Sequence, residues 1–160
     1  MRRLRVHLLR ASYRVGYRFL LVYLTLARPP SRGVKCLLTH GDELLLVRHT
    51  YGSRRTWHVP GGGARRGESA VAVAAREMRE ELGLRDVVWR ELTTLRVHVD
   101  GRWVTLHAVA AELGDRTVDP DPVEIEQARW FAFSELPVRL GREDLTLLRA
   151  AVALRSAGGR

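Results

Sequence analysis

At 160 residues, 46% apolar and 28% charged, the chain has the size and composition of one soluble globular domain. Its one cysteine, Cys36, excludes an internal disulfide and a cysteine-based metal site. The net charge of +9 lies wholly within residues 1–36, where Arg2, Arg3, Arg5, Arg10, Arg14, Arg18, Arg28, Arg32 and Lys35 meet no acidic residue; the 18 basic and 18 acidic residues that follow cancel, so the high pI does not indicate nucleic-acid binding by the body of the chain.

Residues 3–27 contain no proline and form a helical pattern. Leu4, Leu8, Ala11, Val15, Phe19, Val22 and Leu26 make an apolar stripe, and Arg3, His7, Arg10, Arg14 and Arg18 make a basic one. The all-apolar run from Phe19 to Ala27 is too short for a membrane span, which needs about 20 residues. A basic amphipathic helix of this kind lies on an anionic membrane surface, or it packs on the domain or on a second subunit of a homodimer; both remain open. A cleaved leader fits less well, because Arg14 and Arg18 interrupt its core. The expected location is cytoplasmic, with peripheral attachment at the inner face of the membrane as the variant.

Arg28-Pro-Pro-Ser-Arg-Gly33 reads as a stiff linker, which divides the chain into a basic helical extension (1–32) and a main domain (33–157). Val34–Thr39 and Glu43–His49 are strand patterns joined by a hairpin signal at His40-Gly-Asp42, and Trp57–Pro60 is a short strand leading into a glycine turn. Asp86–Asp100 and Arg102–Glu112 are two further strands around Asp100-Gly101. Gly114–Val123 is a loop, Ala128–Phe133 a strand, and Glu143–Arg155 an amphipathic helix with Leu145, Leu148 and Val152 on its apolar side.

Between these strands, Ala70–Leu82 is rich in alanine and free of Gly and Pro, and Gly83 supplies a left-handed helix stop. Val71, Ala74, Ala75, Met78 and Leu82 follow a helical period and predict the buried stripe. Glu77, Glu80 and Glu81 fall together on another side. Three gathered carboxylates repel one another, a penalty that a hard divalent cation removes. A solvated acidic face paired with Arg76 and Arg79 is the competing reading of the helix alone.

Gly62, Glu68, Arg76, Glu77, Met78, Glu80, Glu81, Gly83 and Leu84 fill every defined position of G-x5-E-x7-R-E-U-x-E-E-x-G-U, and the segment therefore resembles the Nudix box. The resemblance implies an α/β/α sandwich around a mixed β-sheet, an α/β (α+β) fold, with the N-terminal helical extension added. It also implies a Mg²⁺- or Mn²⁺-dependent pyrophosphohydrolase that cleaves a nucleoside diphosphate linked to a group X. In that reading Glu77, Glu80 and Glu81 hold the metal, with the Gly61 carbonyl and Glu68 as further candidates, while Arg76, Gly62 and Gly83 support the loop and helix. Glu124 and Glu126 are the candidates for a base or ligand outside the box, and Arg48, Arg54 and Arg55 for substrate phosphate. The stretch from Arg85 to Leu113 lacks the prolines and tyrosine that mark relatives acting on ADP-ribose, dinucleoside polyphosphates or NADH. The alternatives are a non-catalytic nucleotide-binding module of the same fold, and a docking protein that works through its N-terminal helix.

Overall fold

The computed structural model describes residues 31–51, 55–99 and 102–149, together with the single positions Ser12 and Gly16. The basic helix read over residues 3–27 lies outside these residues apart from those two positions, as do Arg54 and the last part of the chain. Among the described residues no helix is long and apolar enough to cross a membrane.

The architecture grows from β1 (Ser31–His40), which alternates between two buried faces. Val34, Cys36 and Leu38 enter one core and Leu37 the other. On one side β1 runs parallel to β5 (Arg102–Glu112), in register from Ser31 opposite Val104 to Thr39 opposite Glu112. On its other side β1 is shared: Gly33–Lys35 pair antiparallel with β3 (Gly61–Gly63), and Thr39 and His40 pair with β2 (Glu43–His49). Strand β4 (Arg90–Val99) forms the edge beyond β5, and β6 (Ile125–Ala132) pairs with β2. The result is a six-stranded mixed sheet of order β4-β5-β1-β2-β6, with β3 beside β1.

Helix α1 (Ala70–Leu82) covers one face and a second helix, α2 (142–149), the other. Under α1, Val73, Ala74, Met78 and Leu82 meet Val34, Cys36, Leu45, Val47 and Val109. Under α2, Leu147 and Leu148 meet Leu37, Leu44, Leu46, Trp57 and Val59. This is the α/β/α sandwich around a mixed sheet that the sequence leads one to expect.

Several details differ from expectation. The glycine turn contains a strand, because Gly61–Gly63 give their backbone to β1. Ser31 and Arg32, expected in the linker, already belong to β1, where Val104 and Thr105 of β5 provide partners. The buried stripe of α1 runs through Ala70, Val73, Ala74, Met78, Glu81 and Leu82, whereas Ala75 is exposed and Val71 only half-buried. In so alanine-rich a helix several overlapping arcs are apolar, and the sheet selects one of them. Likewise Leu147 is buried in α2 and Leu145 is exposed.

Helix α2 is held by charge as well as by leucines. Asp144 is fully buried; the Lys35 ammonium lies 2.9 Å from its Oδ1 and His58 Nδ1 lies 2.9 Å from its Oδ2. Lys35 also donates to the Val59 carbonyl at 3.1 Å. Burial alone would raise the Asp144 carboxyl, but Lys35 and His58 outweigh it and hold it below the usual carboxylate range. Asp144→Asn should destabilise the protein by about 2–4 kcal/mol at neutral pH, because it strands a mostly buried ammonium. A carboxyl with a depressed folded pKa stabilises above its unfolded pKa and loses that contribution as the pH falls through the folded one. The gap between wild type and variant in denaturant melts should therefore close below about pH 4.

Candidate active site

Helix α1 begins at Ser69, whose hydroxyl accepts from the Ala72 N–H at 3.2 Å, and ends at Gly83 with φ 69°. That left-handed turn lets the Leu84 N–H return to the Met78 carbonyl at 3.1 Å. Between the caps, the three glutamates occupy three different environments. Glu80 is half exposed, 3.6 Å from Arg76. Glu77 lies against β3: a Cβ added to Gly62 would meet its carboxylate carbon at 2.2 Å, so any side chain there would displace that carboxylate. Glu81 is 3% exposed and faces the sheet among apolar side chains. One of its oxygens, Oε2, is buried and accepts no hydrogen bond. Burial first, then the charges of Glu77 and Glu124, push the Glu81 carboxyl up to about 8.

Arg76 braces this arrangement from the other side. It grips Glu68 through Nε to Oε1 at 2.8 Å and Nη2 to Oε2 at 3.0 Å, bonds Glu77 Oε1 at 2.7 Å, and donates to the Gly63 carbonyl at 3.1 Å. Glu68 in turn accepts from the Arg65 N–H at 2.9 Å. The paired guanidinium holds the Glu68 carboxyl down at about 2. A bidentate pair of this type fixes position as well as charge. These bonds tie the loop 63–68, strand β3 and the Glu77 carboxylate together, with Gly61 opposite Lys35 in the same strand pair.

A further carboxylate arrives from a distant part of the chain. The last carbonyls of a helix lack intrahelical donors. Here the Asp119 N–H bonds the Leu82 carbonyl at 2.9 Å and the Asp121 N–H bonds the Glu81 carbonyl at 2.8 Å. Asp121 then turns the chain by accepting from the N–H groups of Glu124 and Ile125, and Thr50 ties its far side through the carbonyls of Val123 and Glu124. This brings Glu124 close enough to act on the charge of Glu81. Of the cations proposed for phosphate, Arg48 bonds Gln127 and lies over the Trp57 ring at 4.6 Å, Arg55 is exposed in a turn, and Arg54 lies outside the described residues.

A second cluster, on the opposite face, joins residues that no sequence pattern connects. His58, Glu143 and Asp144 hold ligand-type atoms within 4.8 Å of one another. His49 lies beside them, its ring 5.8 Å from that of His58 and stacked at 4.8 Å on Tyr51. Burial, with help from His58 and Lys35, drives the His49 imidazole down to about 4, so it is neutral at physiological pH. Lys35 already neutralises Asp144, whereas the buried Glu81 oxygen has no partner. Only alternation in Trp57–Val59 pointed at His58, and nothing in the sequence linked it to Asp144.

Comparison with known proteins agrees with this geometry. The NUDIX domain family matches residues 29–150. The NAD-capped RNA hydrolase NudC of Stutzerimonas stutzeri (strain A1501) is 32% identical over 113 residues, covering 68% of this chain and 39% of that protein. The enzyme of the same name from Pseudomonas putida (strain W619) is 33% identical over 105 residues, covering 63% and 36%. The chain thus spans well under half the length of these relatives. Among solved structures, a MutT NUDIX hydrolase from Burkholderia pseudomallei superposes with a TM-score of 0.69 at 21% identity, covering 76% of this chain and 98% of that one. A UDP-X diphosphatase gives 0.63 at 23%, covering 79% and 64%. At such identities the structures establish the fold, and the sequence match over most of the chain establishes the family. With the complete box on α1 and the sheet that presents it, the chain belongs to the Nudix hydrolase family.

Proposed function

We propose that the chain is a divalent-cation-dependent pyrophosphohydrolase acting on a nucleoside diphosphate linked to X, and that X carries an RNA chain. The observation that carries the catalytic part is Glu81, a buried carboxylate with an unsatisfied oxygen beside Glu77 and Glu124. Energetically costly placements of this sort make chemical sense when a cation completes them. Oxygen-only donors suit Mg²⁺ or Mn²⁺. Glu77 and Glu81 would hold the ion, with Glu80 and the Gly61 carbonyl at its margin. When bound, such a cation neutralises pyrophosphate oxygens and acidifies water.

The chain's own residues do the rest. Arg76 and Glu68 fix the loop and the Glu77 carboxylate, so that donors are in place before substrate arrives. Glu124, brought to Glu81 by the capping loop, takes the proton from the attacking water. Water adds to one phosphorus, the bond from that phosphorus to the bridging oxygen breaks, and two phosphate-ended products leave. Arg54 and Arg55 are the cations left to meet substrate phosphate, since Arg48 is engaged with Gln127 and Trp57. The name shared by the sequence relatives supports a dinucleotide cap on RNA as the substrate class. Because the stretch from Arg85 to Leu113 lacks the proline array of relatives acting on NADH, recognition of the dinucleotide would rest on other residues.

Release of products from NAD, ADP-ribose, UDP-glucose, NAD-capped RNA and triphosphorylated RNA, each with Mg²⁺ and Mn²⁺, tests the reading. Capped RNA is expected to be the best substrate. No product from any member would overturn the assignment. Glu77→Gln and Glu81→Gln should each lower kcat by at least about 10²-fold, and Glu124→Gln should lower kcat with little change in KM.

Thermal melts give a readout independent of turnover. The Glu81 pKa is raised from 4.5 to about 8 on folding, so its contribution is greatest below 4.5 and is lost as the pH climbs toward 8. The metal-free protein should lose stability across that interval, by at least about 1 kcal/mol. Mg²⁺ should restore it at the upper end, and Glu81→Gln should flatten the dependence. A wild-type profile that is flat without metal would show that Glu81 is not held protonated.

A further inference from the structure

The body of the chain is neutral in sum, yet the fold separates its charges. At the start of β1 a polar band crosses three strands. The Arg32 guanidinium on β1 lies 3.3 Å from His107 Nε2 on β5. A guanidinium only donates, so Nε2 accepts and the proton of His107 sits on Nδ1, which donates to Thr94 Oγ1 on β4 at 3.0 Å. Further out on the β4–β5 hairpin, the Arg96 guanidinium lies 5.2 Å over the Trp103 ring. His98, directly opposite Trp103, meets that ring edge-on with centroids 5.5 Å apart. Trp103 is 57% exposed.

Cross-strand partners share a face, so His98 with Trp103, Arg96 with Thr105 and Thr94 with His107 form one surface. It is continuous with the face under α1, because Val109 and Ala111 further along β5 pack in the α1 core. The catalytic loop borders it: the Ala64 N–H bonds the Arg32 carbonyl, and the exposed Arg65 and Arg66 follow. Glu68, the carboxylate of that loop, is already taken by Arg76. Of the other described carboxylates, Glu91 lies on β4 opposite Val109, further along from Thr94, while Asp42, Glu43 and Glu112 stand at the far end of β1 and β5, and Asp119, Asp121 and Glu124 at the end of α1.

We propose that this face of the β4–β5 hairpin docks the single-stranded RNA of the substrate, a base stacking on Trp103 while Arg96, Arg32 and Arg65 follow the phosphates. The proposal rests on the capped-RNA reading above. Strand spacing and rise put Trp103 about 14 Å from Gly63, two strands across and three residues along, a reach of a few nucleotides from the glutamates. An aromatic ring set among arginines is the chemistry that holds single strands without reading sequence. A membrane fits worse, since Trp103 stands among Thr94, Arg96, His98, Thr105 and His107 and offers little apolar area to bury.

The test is fluorescence anisotropy of a short, unstructured, 5′-hydroxyl RNA bound to the full chain in EDTA. Salt of about 0.3 M weakens the purely electrostatic contribution of the basic N-terminal residues and leaves stacking visible. Trp103→Ala should weaken binding about tenfold and Arg96→Gln about threefold, while Trp103→Phe keeps it within about twofold. The kcat/KM for NAD-capped RNA should fall by the same factors relative to free NAD. Circular dichroism melts verify folding; if Trp103→Ala does not fold, Arg96→Gln decides. Wild-type affinity in the folded variants overturns the proposal. So does a result in which the variants bind RNA normally but lose binding to phosphatidylserine vesicles, which would make this a membrane face. Absence of hydrolysis on every substrate would sink the catalytic reading, while the metal-free anisotropy still decides this one.

Discussion

Burial of Glu81 between α1 and the sheet is the constraint on which the rest of the site depends. A carboxylate in that position is unfavourable as an anion, and the fold adds to the difficulty by setting Glu77 and Glu124 beside it. Each neighbour is held by a separate device. Glu77 is pressed against a strand that has no side chain at Gly62, and Glu124 is carried in by a loop whose backbone satisfies the end of α1. The same hydrogen bonds that cap the helix therefore assemble the carboxylates. The contacts that finish the helix also concentrate negative charge at its end.

The Arg76–Glu68 pair shows how the repulsion is contained. Arg76 gives one face of its guanidinium to Glu68 and its remaining donors to Glu77 and the β3 backbone. It does not reach Glu81 by any of these bonds, so the buried carboxylate keeps its unmet demand. A second arginine in that place would have neutralised the cluster internally. One carboxylate, Glu68, thus holds the loop, while Oε2 of another, Glu81, is buried without a hydrogen bond.

On the other face, Lys35, His58 and Asp144 do for α2 what the leucines do, but with direction. Apolar packing would tolerate some sliding of a short helix, whereas an ion pair to a strand residue fixes its register. Lys35 sits between Val34 and Cys36, whose side chains enter the α1 core. The central strand therefore links the two layers residue by residue, and Cys36, pushed far above its ordinary pKa by burial and then by Glu81, is inert within it.

The sequence by itself determined the family box, the helix that carries it and most of the strands, because these depend on local period, turn residues and caps. Gly83 as a helix stop, Arg102–Glu112 as a strand and the shared face of Glu77, Glu80 and Glu81 all follow from spacing along a single element. What lay beyond reach were relations between elements. Val71 and Ala75 gave way to Ala70 and Val73 because an alanine-rich helix offers several apolar arcs, and only the sheet selects one. Glu124 and Glu126 were equivalent in sequence; the cap at Asp119 and Asp121 brings Glu124 within range of Glu81. The neutral sum of charges likewise concealed the arginines at one end of the sheet and carboxylates at the other. Spacing fixes what one segment presents, but burial, pairing and field depend on which segments meet, and tertiary structure alone decides that.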